Sequence, residues 1–261
     1  MRLVFAILLL AVISCQSPAK KEMISMPGAY KMISQSVKSA TSDTTYTDVH
    51  QMKIFTGDYM MYANINSPDS VSSFGIGSYS NIADSITEKV LYRASDSTKD
   101  DTLRTYTLVL EKTPKGYKQI IPEMVMGDQH IKLTEEYESA GTAATSDVDG
   151  LWKLVNAFSI TGKDTTPNMR TQYKAYYAGH CIWGNTYADS AKKIHTGIGY
   201  GKFEMNGSNK VKESMVASTY SAVRGHDFDI DIEMKGSNEF TQIMSNADGS
   251  KNVEVYQRVK K

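Results

Sequence analysis

What this 261-residue chain has little of narrows its class before any motif is read. Two cysteines, Cys15 and Cys181, cannot build a disulfide scaffold, so stability has to come from packed cores. Six prolines against 16 tyrosines suit sheets better than disorder. A surplus of one charge is missing as well. The 29 basic and 29 acidic side chains balance, which leaves no basic face for nucleic acid and no polybasic membrane patch. No stretch keeps a 3.6-residue apolar period long enough for an extended amphipathic helix. The five histidines (His50, His130, His180, His195 and His226) show no metal-ligand spacing. His180 and Cys181 are adjacent, so on a strand they point to opposite faces and cannot pair as base and nucleophile. No serine sits in a Gly-x-Ser-x-Gly elbow. The expectation is a protein without enzymatic activity, metal or cofactor.

What is present begins with an address. Residues 3–13 form an unbroken apolar run after Arg2, too short to span a bilayer. Ser14 before Cys15 resembles the bacterial lipobox. That resemblance implies a signal peptide over 1–14 and an acylated Cys15 carrying diacylglycerol and a further fatty acid such as palmitate. It also implies a polar tether over 15–25. Several acyl chains anchor stably. Gln16, in place of an aspartate, points to the outer membrane by the sorting rule of enteric bacteria.

The remainder says one phrase twice. Gly28-Ala29-Tyr30-Lys31-Met32 is answered by Gly150-Leu151-Trp152-Lys153-Leu154, and Gln51-Met52-Lys53-Ile54-Phe55 by Gln172-Tyr173-Lys174-Ala175-Tyr176. Further on, Gly57-Asp58-Tyr59-Met60-Met61 is matched to Gly179-His180-Cys181-Ile182-Trp183, Gly75-Ile76-Gly77 to Gly197-Ile198-Gly199, Glu88 to Glu213, Gln119 to Gln242, and Glu135-Glu136-Tyr137 to Glu254-Val255-Tyr256. The order never breaks and the offset stays at roughly 120 residues, which is a duplicated domain and not a solenoid. Domains are expected over 26–141 and 149–261, joined by a small polar linker over 142–148.

Each copy reads as eight short strands separated by turn residues. In the first they fall near 29–37, 47–55, 59–65, 72–82, 85–92, 103–112, 117–121 and 130–138. In the second they fall near 151–160, 168–177, 180–187, 195–205, 210–218, 227–234, 239–244 and 253–259. The clearest is Asp227-Phe228-Asp229-Ile230-Asp231-Ile232, whose strict alternation sets acids on one face and apolar groups on the other. The fold expected is all-β: two tandem antiparallel up-and-down barrels. Closure removes exposed sheet edges, and an eight-strand interior either fills with side chains or holds one small ligand.

At Gly150-Leu151-Trp152 the sequence resembles the lipocalin superfamily, of the calycin type: a Gly-x-Trp opening and an arginine, Arg258, at the end of the last strand. The second copy is similar to the small lipocalin-like domains common in Bacteroidetes lipoproteins. The resemblance implies that Trp152 caps the closed end of the barrel with Arg258 stacked across it. In the first copy Tyr30 replaces the tryptophan and Glu138 lies where the arginine would be, a pair that cannot make the same cation–π contact.

Gln172, Lys174 and Tyr176 alternate and so share one face. Turned inward they would give a ligand cavity its few polar groups; turned outward they are a solvated face with a snorkelling lysine. Trp183, with Cys181 and Tyr187 on its face, is either packed core or the cavity's aromatic wall. Two functions follow. The first is a membrane-anchored module binding a small apolar or amphipathic molecule. The alternative is a cell-envelope structural or protein-interaction module with filled barrels, whose duplication raises effective concentration at a shared protein partner.

Overall fold

The structure, a computed structural model, describes residues 24–65, 72–95, 98–100, 102–126, 128–141 and 144–260. The signal peptide, Cys15 and most of the tether lie outside these residues. The first barrel runs β1 (Gly28–Lys38), β2 (Asp43–Tyr46), β3 (Gln51–Phe55), β4 (Tyr59–Asn64), β5 (Ser73–Ile82), β6 (Ser85–Ser95), β7 (Thr98–Asp100), β8 (Arg104–Lys112), β9 (Gly116–Met126) and β10 (Gln129–Ser139). The second runs β11 (Gly150–Thr161), β12 (Asp164–Pro167), β13 (Thr171–Tyr177), β14 (His180–Ala188), β15 (Ile194–Met205), β16 (Lys210–Ser218), β17 (Asp227–Met234), β18 (Glu239–Ser245) and β19 (Lys251–Arg258).

Each half is an up-and-down antiparallel barrel of eight strands, closed by pairing its first strand with its last, β1 with β10 and β11 with β19. The surplus short strands are pieces of broken ones. β1 pairs with β3 through residues 28–31 and with β2 through 35–38. The single strand expected over 47–55 is therefore interrupted at 47–50. β11 treats β13 and β12 in the same way, interrupting the strand expected over 168–177 at 168–170. A bulge in the first strand lies opposite each break, at Met32/Ser34 and at Leu154/Asn156. An extra residue there bends the strand and increases its twist.

Alternation sorts the side chains. In β17 the three aspartates are exposed, while Ile230 and Ile232 are buried. Lys212 lies 2.7 Å from Asp227 and Lys210 lies 3.6 Å from Asp231, on the outside of the barrel. The β13–β14 hairpin turns on Ala178 and Gly179, both at positive φ (48° and 79°), the backbone of a two-residue type I′ turn.

A third apolar cluster belongs to neither interior. The outward residues Met52, Ile54, Met61, Ala63, Phe74 and Ile76 of the first barrel pack against Leu151, Tyr173, Ala175, Ile182, Ile198 and Tyr200 of the second. Phe74 lies across Gly184, where an added Cβ would sit 2.5 Å from its ring. The Tyr92 hydroxyl and Thr186 Oγ1 are 2.7 Å apart across the junction, and Thr196 donates to the Ser95 carbonyl at 2.7 Å. The two barrels are thus fused along one wall, and strands β3 and β13 are buried on both faces.

Three matches in the repeat shift. Tyr62 opposes Lys53 as Trp183 opposes Lys174, so Tyr62, and not Met61, is the counterpart of Trp183. Gly75 sits against the Tyr62 ring and Gly199 against the Trp183 ring, each where a Cβ would come within 2.6 Å. Met61 opposes Ile76 as Ile182 opposes Tyr200. The counterpart of Gly75-Ile76-Gly77 is therefore Gly199-Tyr200-Gly201, two residues later than the sequence match. A slip of two keeps every side chain on its face, which is why composition did not expose it. At the closed end, Trp152 opposes Arg258 and Tyr30 opposes Ser139, so Ser139, not Glu138, holds the arginine's place.

Candidate ligand-binding site

The Arg258 guanidinium carbon lies 4.1 Å from the centre of the Trp152 ring. Arg258 also donates to the carbonyls of Asp149 at 2.5 Å and Ser237 at 2.7 Å, and Trp152 Nε1 donates to Val148 O at 2.7 Å. This seals the bottom of the second barrel. In the first, Tyr30 packs edge-on against Tyr117, with ring centres 4.9 Å apart.

Above this floor each barrel carries the same buried polar chain. In the first barrel Lys53, 3% exposed, crosses the interior to Glu88 at 2.5 Å and donates to Gln119 Oε1 at 3.0 Å. Gln119 passes a hydrogen bond to Glu135 Oε2 at 2.9 Å. Tyr137 donates to the same oxygen at 3.0 Å and accepts from Gln51 Nε2 at 2.5 Å. In the second barrel Lys174, 5% exposed, reaches Glu213 at 3.0 Å and Gln242 at 2.8 Å. Gln242 donates to Glu254 Oε2 at 3.2 Å. Tyr256 donates to that oxygen at 2.5 Å and accepts from Gln172. β3 and β6 are not neighbours, nor are β13 and β16, so each lysine–glutamate pair is a strut across its barrel.

The shared face of Gln172, Lys174 and Tyr176 therefore points inward. The alternate residues Tyr173 and Ala175 cover the other barrel, so neither face of β13 meets water and a snorkelling lysine has nowhere to go. Tyr176 donates to Glu213 beneath the cavity. Trp183 also faces inward and stacks on Tyr220, with centres 5.7 Å apart. Cys181 is buried, and burial pushes its thiol well above the usual range. Tyr187, expected on the same face, is exposed and stacks on His195.

The two interiors differ in what lies above the chain. In the second barrel Trp183, Tyr220, Val223 and Phe228 crowd the mouth, and the space left is about 190 Å³. In the first barrel Tyr62 stands in the place of Trp183, the wall continues through Val90, Leu108 and Leu133 on one hand and Asn64, Arg93 and Arg104 on the other, and the cavity is about 670 Å³. Ligand pockets run from ~300 to ~1,000 Å³, so only the first cavity is of that size. The expected site residues Gln172, Lys174, Tyr176 and Trp183 lie in the second copy; the roomier cavity lies over Gln51, Lys53 and Tyr62 of the first, the equivalents of Gln172, Lys174 and Trp183. A cleft of about 510 Å³ also runs between the barrels, past His50, His180 and Arg224. It has no comparable floor of converging buried charges.

Burial raises the Glu135 carboxyl above its ordinary range, against the opposing pull of Lys53. It pushes the Tyr137 and Tyr117 phenols well up, and Tyr62 to about 12, so all three are neutral at physiological pH. The Tyr117 hydroxyl is buried with no protein group in hydrogen-bond reach. Phe240 holds its place in the second barrel, since Gln119 and Gln242 follow two residues on. Tyr117→Phe should therefore leave stability unchanged or raise it by about 1 kcal/mol, by removing an unsatisfied polar group. A lowered melting temperature would show that the hydroxyl contributes a bond.

Glu88, Gln119, Glu135, Tyr137 and their counterparts were matched in the repeat but not singled out as a site. The signal was available: along the matched segments the polar identities persist while their apolar neighbours change. Arg170 and Asn185, which donate to Gln172, and Tyr220, which donates to Asn185, had no such signal.

No family model matches the chain, and no curated protein matches it. Among solved structures it is similar to the crystal structure of a protein of unknown function from the DUF3598 family of Nostoc punctiforme. The identity is 12%, over 89% of this chain and 96% of that one, with a TM-score of 0.27. A likeness that slight carries no argument about function.

Proposed function

We propose that the protein is a binding module in which the first barrel holds one small amphipathic molecule and the second, filled barrel braces it. The observation that carries this reading is the cavity of about 670 Å³ over the buried Lys53–Glu88–Gln119–Glu135 chain. Val90, Leu108, Ile121 and Leu133 give the wall apolar patches among polar side chains, and buried polar groups converge beneath them, the combination by which a small-molecule site gains affinity and orientation together. The reading is non-enzymatic: Lys53 is engaged by Glu88 and Gln119, and Cys181 is a buried neutral thiol in the other barrel.

The N-terminal sequence supports attachment to the outer membrane through a lipid on Cys15, with residues 16–25 as the tether. A second reading, a module presenting its outer surface to another envelope protein, is favoured by one observation, the filling of the second barrel.

Native mass spectrometry of the chain from residue 16 onward, purified gently from its own envelope, separates the two. One small molecule per chain is expected. Folded chains without a bound mass would overturn the binding reading in favour of the interaction reading.

A further inference from the structure

The two barrels share their polar chain but not its charge. In the second, Arg170 projects inward from the break in the strand. It donates through Nε to Gln172 Oε1 at 2.8 Å and through Nη2 to Glu254 Oε1. Two cations, Lys174 and Arg170, thus meet two carboxylates, Glu213 and Glu254.

In the first barrel the position two residues before Gln51 is Val49, buried among the interior side chains. The oxygen matching the one Arg170 holds, Glu135 Oε1, receives instead an amide hydrogen bond from Gln35 at 3.2 Å. Gln35 opposes Glu135 as Ala157 opposes Glu254, so the Ala157–Arg170 pair has become Gln35–Val49. Lys53 is left to serve both Glu88 and, through Gln119, Glu135.

Near the rim two guanidiniums share one carboxylate. Arg93 and Arg104 both bind Asp100, at 3.3 and 3.0 Å, and His130 lies 2.7 Å from Glu123. The first barrel therefore has a carboxylate at its floor without the arginine that its counterpart in the second barrel holds, beneath a larger cavity. At the floor an anionic head would meet Glu135 with Lys53 already engaged by Glu88 and Gln119, and the like-charge contact opposes it there; the two arginines of the lining, Arg93 and Arg104, are held by Asp100.

We propose that the ligand of the first barrel is a small amphipathic cation, an amine or guanidine. Its charged head pairs with Glu135 Oε1 where Arg170 sits in the second barrel, and its apolar body lies against Tyr62, Val90, Leu108 and Leu133. Burial of Glu135 among neutral donors, with its carboxyl raised, is the state that an incoming cation relieves. This inference rests on the first barrel being a binding compartment, and the test keeps the two apart.

The probes are 2-phenylethylamine, 2-phenylethanol and 3-phenylpropanoate, titrated calorimetrically into the chain from residue 16 onward at pH 7. The amine should bind at least about tenfold more tightly than the alcohol, as a charge-assisted hydrogen bond does over a neutral one, and the acid most weakly. Glu135→Gln should bring amine and alcohol to parity, and Glu254→Gln should leave the preference intact. The double variant Gln35→Ala/Val49→Arg, which installs the second barrel's pair, should also erase it; this keeps the test alive should Glu135→Gln fold poorly. Equal binding of amine and alcohol by the unaltered protein, or a preference surviving both changes, would overturn the cation while leaving the cavity standing. Binding of none of the three would overturn both.

Discussion

Lys174→Met should destabilise the second barrel by about 3–5 kcal/mol, the penalty for leaving a buried carboxylate without its partner. Glu213 is 4% exposed and lies 3.0 Å from the lysine; Tyr176 remains to it as a donor, but no second cation does. Methionine keeps most of the lysine stem's volume, so the loss reports charge and not a void. Lys174→Met/Glu213→Gln should recover most of the stability, because a neutral pair of similar shape carries no stranded charge. Urea unfolding followed by tryptophan fluorescence reads this directly, since both tryptophans, Trp152 and Trp183, lie in the second barrel. A loss below about 1 kcal/mol would mean that the pair behaves as a solvated surface bridge.

Phe74→Ala should cost about 3–5 kcal/mol, the range for deleting a fully buried phenylalanine. Phe74 is completely buried, on a strand of the first barrel with its ring across Gly184 of the second. The informative part is where the loss appears. If the shared wall of Met61, Phe74, Ile182 and Tyr200 welds the barrels into one unit, the fluorescence transition of the second barrel moves although the substitution lies in the first. Two barrels joined only by a linker would leave that transition in place while circular dichroism reported the loss.

Both expectations depend on facts that the sequence carries unevenly. Strands and barrels were legible because alternation and turn residues recur locally, most plainly in β17, and because the chain states the pattern twice. The orientation of β13 was not legible. Alternation places Gln172, Lys174 and Tyr176 together, but their partners Tyr173 and Ala175 are no more polar than a core face. Only the neighbouring barrel, a contact made through residues more than a hundred positions away, decides which side lysine takes. The small strands β2, β7 and β12 were missed, being fragments that continue broken strands at the barrel rims.

The candidate site was half visible. Gln51, Lys53, Glu88, Gln119, Glu135 and Tyr137 each find the same residue type in the second copy, and that shared polar identity marks the chain through both interiors. Cavity size had no local signature. The second barrel is filled by Tyr220 and Val223 of the β16–β17 connection and narrowed by Trp183. The first barrel lacks the tryptophan–arginine stack at its closed end, yet it keeps the larger space. The Tyr30-for-Trp152 exchange happens at the sealed bottom, whereas the room for a ligand is set at the mouth.

The first interior should bind a ligand and the second should not. Methyl NMR of the chain with ¹³C-labelled methionines tests it most directly, because Met124 lines the first cavity while Met215 and Met244 line the second. On titration with 2-phenylethylamine the Met124 methyl resonance should move and saturate, with Met215 and Met244 unmoved. Movement of Met215 and Met244 with Met124 unmoved would place binding in the second barrel and contradict the account.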